Sequence, residues 1–434
     1  MVNTNSSPSK FWAYVALIIG VFLFVSGGAA SLTYLGAPFV SRGRDILAAQ
    51  LGQMAAIFLG LVCGTLALYH GFASIMNRAS RPLRLPPFYF FWILFALTLG
   101  LGHVLLNFRI AEQFLFPFLF LLGASLPTLS VIAWGVRRLG APITWRQGAL
   151  ALVAGSTLSI VVALVLEGSL SLILFFFTPP LRWMSSASIV LSPIVILFLI
   201  TTALQAPIPE EFAKALGVPI FGRQRITNEQ QAFAIGLFCG AGFAIVENML
   251  YEGLYATIGG WSWGGVTLLR GIGAGLHPIC TGLIALGWFR ARQSGWFKLL
   301  SAYAISVGLH TLWNGGFTAL VYLTGLGYYT RNAKLSLYGE PIQISLIAFL
   351  VVLSLGLWWL LYRIVTSLAQ GIEPAVSRLV ISRRAVALWA LACVIVLIPL
   401  GATLGPAWSS ISGIVLPGAL STPLPMPIPT IPAK

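Results

Sequence analysis

The sequence predicts an all-α fold: a polytopic transmembrane helix bundle of about 11 spans plus one short or re-entrant helix. Three observations carry that expectation. Of 434 residues, 58% are hydrophobic and only 8% charged, whereas a soluble domain is about 25% charged. Too little polar surface exists to cover a water-soluble globule. Apolar runs of about 20 residues recur along the chain, the length that crosses a bilayer as a helix. The basic residues fall in small groups between those runs.

The runs lie near residues 11–33, 46–72, 87–108, 113–135, 148–177, 186–206, 228–254, 264–289, 296–322, 343–366 and 385–405. The first follows a single basic residue, Lys10, and exceeds a signal-peptide core in length, so it reads as a retained span. Residues 207–222 are shorter, marked by Pro207, Pro209 and Pro219, and carry Glu210, Glu211 and Lys214. This is the short or re-entrant helix, with Pro209 suited to a first turn. Residues 406–434 contain STPLPMPIPTIP and read as an extended, poorly ordered tail. No internal repeat is evident, so a transporter built from inverted repeats gains no support.

A net charge of +15 does not imply nucleic acid, because the basic residues form no stripe or aromatic-interleaved patch. They occur as Arg78, Arg81 and Arg84; Arg137, Arg138 and Arg146; Arg290, Arg292 and Lys298; and Arg378, Arg383 and Arg384. That is the pattern of cytoplasmic loops. With the N-terminus inside, the loop count sets IPEEFAK (208–214) near the cytoplasmic side. It leaves the uncharged segment 255–263 outside, with Trp261 and Trp263 in an interfacial belt. Cys63, Cys239, Cys280 and Cys393 lie in apolar runs without CxxC spacing and read as free buried thiols; spacing leaves a Cys239–Cys280 contact open.

Five of the ten carboxylates, Glu210, Glu211, Glu229, Glu247 and Glu252, fall within one strongly apolar stretch. A carboxylate in hydrocarbon costs a few kcal/mol, so such groups persist mainly where function holds them. Glu210 and Lys214 are one turn apart and can pair, while Glu211 points about 100° away. Phe243, Glu247 and Tyr251 share a face, and Glu247 and Asn248 are near mid-span. Glu229 and Glu252 read as loop or edge charges. In the next run Arg270, His277 and Thr281 fall on one stripe, and beyond it His310 and Asn314 share a face. His70, His103 and Glu112 read as span-end residues. Glu167 lies inside a span, and the sequence leaves it open between this site and a separate packing role.

These motifs resemble a known family. EEFAK (Glu210, Glu211, Lys214) resembles the EExxK motif of PrsW-type intramembrane proteases. FAIVE (Phe243, Glu247) resembles their FxxxE motif, and Asn248 completes a frequent EN pair. The segments holding His277 with Thr281, and His310 with Asn314, resemble their HxxxT-like and HxxxN-like helices. The wider superfamily includes type II CAAX prenyl endopeptidases and bacteriocin-processing proteins, where FxxxH usually replaces FxxxE. The resemblance covers roughly residues 113–322, the expected protease core. Residues 1–112 form an N-terminal transmembrane region of unknown role, 323–405 hold two C-terminal helices with loops, and 406–434 the tail.

The resemblance implies hydrolysis of peptide bonds in membrane-anchored protein substrates, in the plasma membrane of a prokaryote, with anti-sigma-factor cleavage as the regulatory example. The partners implied are that substrate and the lipid bilayer. Glu210 or Glu211 would be the general base that activates water, and Glu247 with His277 would handle protons or place the water. His310 and Asn314 would hydrogen-bond the developing oxyanion. Lys214, Phe243, Asn248, Arg270 and Thr281 would support them. No cofactor is favoured, since HExxH is missing; the alternative is zinc held by Glu247, His277 and His310. A proton-coupled transporter and a non-catalytic scaffold are the rival readings. Four ordered motifs count against the first, and the complete polar set against the second.

Overall fold

Backbone amides within a bilayer have no water to bond, so an apolar run closes its own hydrogen bonds as a helix. The computed structural model describes residues 10–40, 44–76, 78–108, 112–140, 142–177, 200–220, 226–257, 259–330 and 333–369. Among the described residues there is no strand, only an antiparallel bridge between Pro82 and Thr144. The helices are α1 (Lys10–Val40), α2 (Arg44–Ile57), α3 (Gly64–Ile75), α4 (Phe88–Phe108), α5 (Glu112–Arg138), α6 (Trp145–Ala154) and α7 (Ile160–Phe177). They continue with α8 (Pro207–Ile220), α9 (Glu229–Ala256), α10 (Gly260–Ile272), α11 (Leu276–Ser294), α12 (Phe297–Thr330) and α13 (Ala333–Leu368). Short π-helical stretches, Phe58–Cys63 and Gly155–Ser159, join α2 to α3 and α6 to α7.

Seven of the described stretches are long and apolar enough to cross a membrane: Leu47–Ile75, Phe88–Phe108, Phe114–Arg138, Trp145–Ile173, Glu229–Ala256, Gly260–Ser294 and Ile344–Leu368. These stretches mark an integral membrane protein, helical throughout nearly all of its described residues. Of the eleven expected spans, 385–405 and residues 186–199 of the span 186–206 lie outside the described residues. So do the tail 406–434, Arg378, Arg383, Arg384 and Cys393.

Helix α9 is the axis of the bundle and is buried along almost its whole length. It packs against α11, α5, α6, α10 and α8. The packing is close because small residues let backbones meet. A Cβ on Gly240 would stand 2.3 Å from the His277 carbonyl oxygen, and one on Gly155 only 1.8 Å from that of Cys239. The π-helical turn after α6 also sends Ser156 Oγ to donate to the Gly242 carbonyl at 3.0 Å.

The expected span 264–289 is not one helix. Residues 273–275 form a turn between α10 and α11, and the Trp313 ring of α12 occupies the space a Cβ on Gly273 would need. Trp263 departs from the expected belt: it is fully buried, whereas Trp261 is 79% exposed. Glu252 is likewise fully buried rather than at an edge, accepting a 3.3 Å hydrogen bond from Trp263 Nε1. Glu229 does lie at a helix end, in a two-pronged pair with half-exposed Arg290.

The basic groups gather at one end. Arg146 donates to the Arg78 carbonyl, Arg137 to that of Leu85, and Arg292 to that of Ile226. Thr144 and Gln147 form a capping box at the start of α6 beside them. Gln230 donates to the Leu368 carbonyl, bringing the end of α13 to the same place. The uncharged 255–263 segment is at the other end of α9.

Candidate active site

Helix α8 supplies three residues from one and a half turns. Glu210 and Glu211 open it and Lys214 follows, all buried, with Lys214 at 0% exposure. A lysine stem is long enough to reach back over both preceding positions, so the ammonium bridges two carboxylates rather than the single partner expected. Lys214 Nζ stands 2.8 Å from Glu211 Oε1 and 3.0 Å from Glu210 Oε2. It also donates to His277 Nδ1 at 2.7 Å and sits 4.3 Å above the Phe243 ring. A bare ammonium at this depth is compensated on every side.

Helices α9 to α11 build a second pair. Arg270 donates from one terminal nitrogen to Glu247 Oε2 at 2.7 Å and from Nε to Asn248 Oδ1 at 2.7 Å. Asn248 passes the bond on, donating to the Ala124 carbonyl of α5 at 3.0 Å. His277 Nε2 meets the same Glu247 oxygen at 2.7 Å. Since Nδ1 accepts from Lys214, the imidazole is the Nε2–H tautomer, neutral and linking the two ion pairs. His310, one helix further, donates from Nδ1 to Glu211 Oε1 at 2.9 Å and leaves Nε2 3.8 Å from Glu210 Oε2. The two imidazoles stand edge to face, centroids 4.9 Å apart.

The structure thus joins Glu210, Glu211, Lys214, Phe243, Glu247, Asn248, Arg270, His277 and His310 in one connected network. Two expected members stand apart. Thr281 is buried against α9, its Oγ1 2.7 Å from where a Gly240 Cβ would be and without a hydrogen-bond partner among the described residues. Asn314 lies one turn beyond His310 and lines a neighbouring recess of about 220 Å³ with Glu167, Thr202, Gln205, Ala206, Tyr251, Phe317 and Thr318. Tyr251 ties recess to network, its ring 4.7 Å beneath the Arg270 guanidinium. Its position one turn after Glu247 was the sequence signal for this; Thr202 and Gln205 gave none. Cys239 and Cys280 are free and buried, each facing its own acceptor, the carbonyls of Lys214 and Ser306.

The metal-donor set differs from the one expected. Glu210, His277 and His310 offer ligand atoms within 4.8 Å of one another, whereas Glu247 is already held by Arg270. Glu210 Oε2 and Glu211 Oε2 are buried without a hydrogen-bond partner; the ammonium is near Glu210 Oε2 but not aligned with it. Glu211 orients His310 as an outer carboxylate orients a ligating histidine. These residues fit a zinc ion, with Lys214 as the competing cation in the same nest.

Residues 143–353 match the PrsW family intramembrane metalloprotease. The match spans just under half of the chain and includes every residue of the network except Ala124. It begins after α5, later than the resemblance at 113, and runs into α13. No curated protein and no solved structure matches the chain. The PrsW match indicates an intramembrane protease, and the apolar helices around the polar network agree with a membrane-embedded hydrolase. Such an enzyme acts beside lipid on a membrane-embedded substrate.

Proposed function

We propose that the chain is an endopeptidase that hydrolyses peptide bonds of membrane-anchored protein substrates in the plasma membrane of a prokaryote, using water activated by glutamate. The observation that carries this reading is the charge balance of the network. Glu210, Glu211 and Glu247 bring three negative charges, Lys214 and Arg270 two positive ones, and the histidine linking them is neutral. With His310 also neutral, donating only from Nδ1 to Glu211, one negative charge is left unmatched, which is what a group that must take a proton from water requires.

Glu210 is the base. It is the carboxylate with residual exposure on α8, at 5%, while Glu211 is at 0% and fully engaged on one oxygen by Lys214 and His310. Glu211 is a positioning residue that sets His310. His277 and Glu247 carry the proton onward to the leaving amine, Arg270 keeping Glu247 in place. Asn314, one turn from His310, would donate to the oxyanion, and His310 would join it after taking a proton at Nε2. In the zinc alternative Glu210, His277 and His310 would hold the ion, Glu210 then being a ligand rather than the base, and the metal would supply a Lewis acid and a more acidic bound water.

Glu210→Ala and Glu247→Ala should each abolish cleavage per folded molecule, by at least about 100-fold given what removal of a proton-transfer group costs, with Glu247→Ala also lowering stability because it leaves Arg270 unpaired. Unchanged processing in both variants defeats the protease reading. The glutamate mechanism further expects cleavage to survive strong chelator in purified protein. Stoichiometric zinc whose removal ends activity, and which is lost in Glu210→Gln, transfers the water to the metal.

A further inference from the structure

Two carboxylates of the bundle stand outside the network, Glu252, which accepts from Trp263, and Glu167. Glu167 lies in α7, where Leu164 and Val165 are more than half exposed on the helix surface. It has no hydrogen-bond or ion-pair partner among the described residues. Its side chain lines the 220 Å³ recess, and no basic side chain is among the lining residues. A carboxylate left uncompensated here is costly, and a cation brought by a ligand would remove that cost.

The recess adjoins the chemistry. Asn314 is in its wall one turn from His310, and Tyr251 supports Arg270. Tyr251 and Phe317 meet edge to face at 6.2 Å and offer an apolar lining for a methylene stem. Gln205 is tethered to Ser171 of α7, which holds the opposite wall in place. An acidic side chain would be repelled by Glu167. An apolar one would bury Glu167 unpaired.

We propose that this recess is a substrate subsite for a lysine or arginine side chain beside the scissile bond, with Glu167 as the residue that selects it. The proposal rests on the protease reading above. To test it, the full-length protein is reconstituted in phosphatidylcholine vesicles with single-span model substrates. These differ only in Lys, Leu or Glu at each of the positions flanking the cleaved bond, and cleavage is read by mass spectrometry.

At one flanking position Lys should be preferred over Leu by about 10- to 100-fold, the range a charge-assisted hydrogen bond supplies. Glu167→Gln should collapse that ratio towards one, Glu167→Asp should retain most of it, and Glu167→Lys should turn the preference to Glu. Each ratio is taken on one preparation, so partial loss of folded protein cancels. A Lys-to-Leu ratio unchanged in Glu167→Gln and Glu167→Lys overturns the subsite. Wild-type cleavage without any Lys preference also removes the subsite but leaves the protease reading standing. A series in which wild type cleaves nothing removes both.

Discussion

Lys214 is the residue on which the site turns. Its ammonium meets three acceptors on two helices and an aromatic face on a third, and so converts four separately costly groups into one compensated network. Arg270 does the same for Glu247 and Asn248. Arg270→Gln should therefore cost about 3–5 kcal/mol, the effect of breaking a buried ion pair from one side. The double variant Glu247→Gln/Arg270→Gln should regain much of that stability while remaining inactive. Thermal unfolding in detergent reads the first effect and cleavage the second; a double variant no more stable than Arg270→Gln refutes the pairing. The i, i+4 spacing made Glu210–Lys214 legible in the sequence. Glu211 as a second partner was not, because an angular projection ignores how far a lysine stem can bend. Glu252 was misjudged for a related reason: its compensation comes from Trp263, on a different helix.

At the scale of the helix, function depends on how closely α9 approaches its neighbours. Gly240 lets the His277 backbone lie against it, and His277 joins the two ion pairs only from that position. Gly240→Ala should destabilise by about 1–3 kcal/mol through overpacking and reduce cleavage by displacing His277. Gly100→Ala in α4, with nothing within 4 Å of the new methyl, should be neutral or stabilising by up to about 1 kcal/mol. Equal effects of the two substitutions on unfolding and cleavage defeat this account. The break at residues 273–275 escaped the sequence because the apolar run is continuous through it. The break falls among Gly271, Gly273 and Gly275 ahead of Pro278, residues that weaken a helix, and the Trp313 ring packs against Gly273 there.

For the whole molecule, we propose from the grouping of arginines at one end that this end is cytoplasmic. At about 1.5 Å per residue, Glu247 lies about 27 Å from the Glu229 end of α9 and about 14 Å from Ala256. The α8 carboxylates meet His277 at a comparable depth, deeper than the loop count set them. The proposed centre is then in the outer half of the membrane. Cysteines introduced singly test this: Thr257→Cys should be labelled by an impermeant thiol reagent from outside, and Gly295→Cys only after permeabilisation. Labelling in the reverse pattern overturns the orientation.

The sequence by itself determined that this chain is helical and membrane-embedded, and which polar residues are too costly to be there by accident. Those are properties of composition and of periodicity along one helix, and both are local. The tertiary structure alone decided that Lys214 joins Glu210, Glu211 and His277, that Arg270 holds Glu247, and that Glu210 is the carboxylate whose ligand atom lies beside those of His277 and His310. Partner choice in hydrocarbon is set by which charges the helix packing brings within about 3 Å, where a low dielectric makes each match or mismatch count. That distance belongs to pairs of helices and is not written in either one.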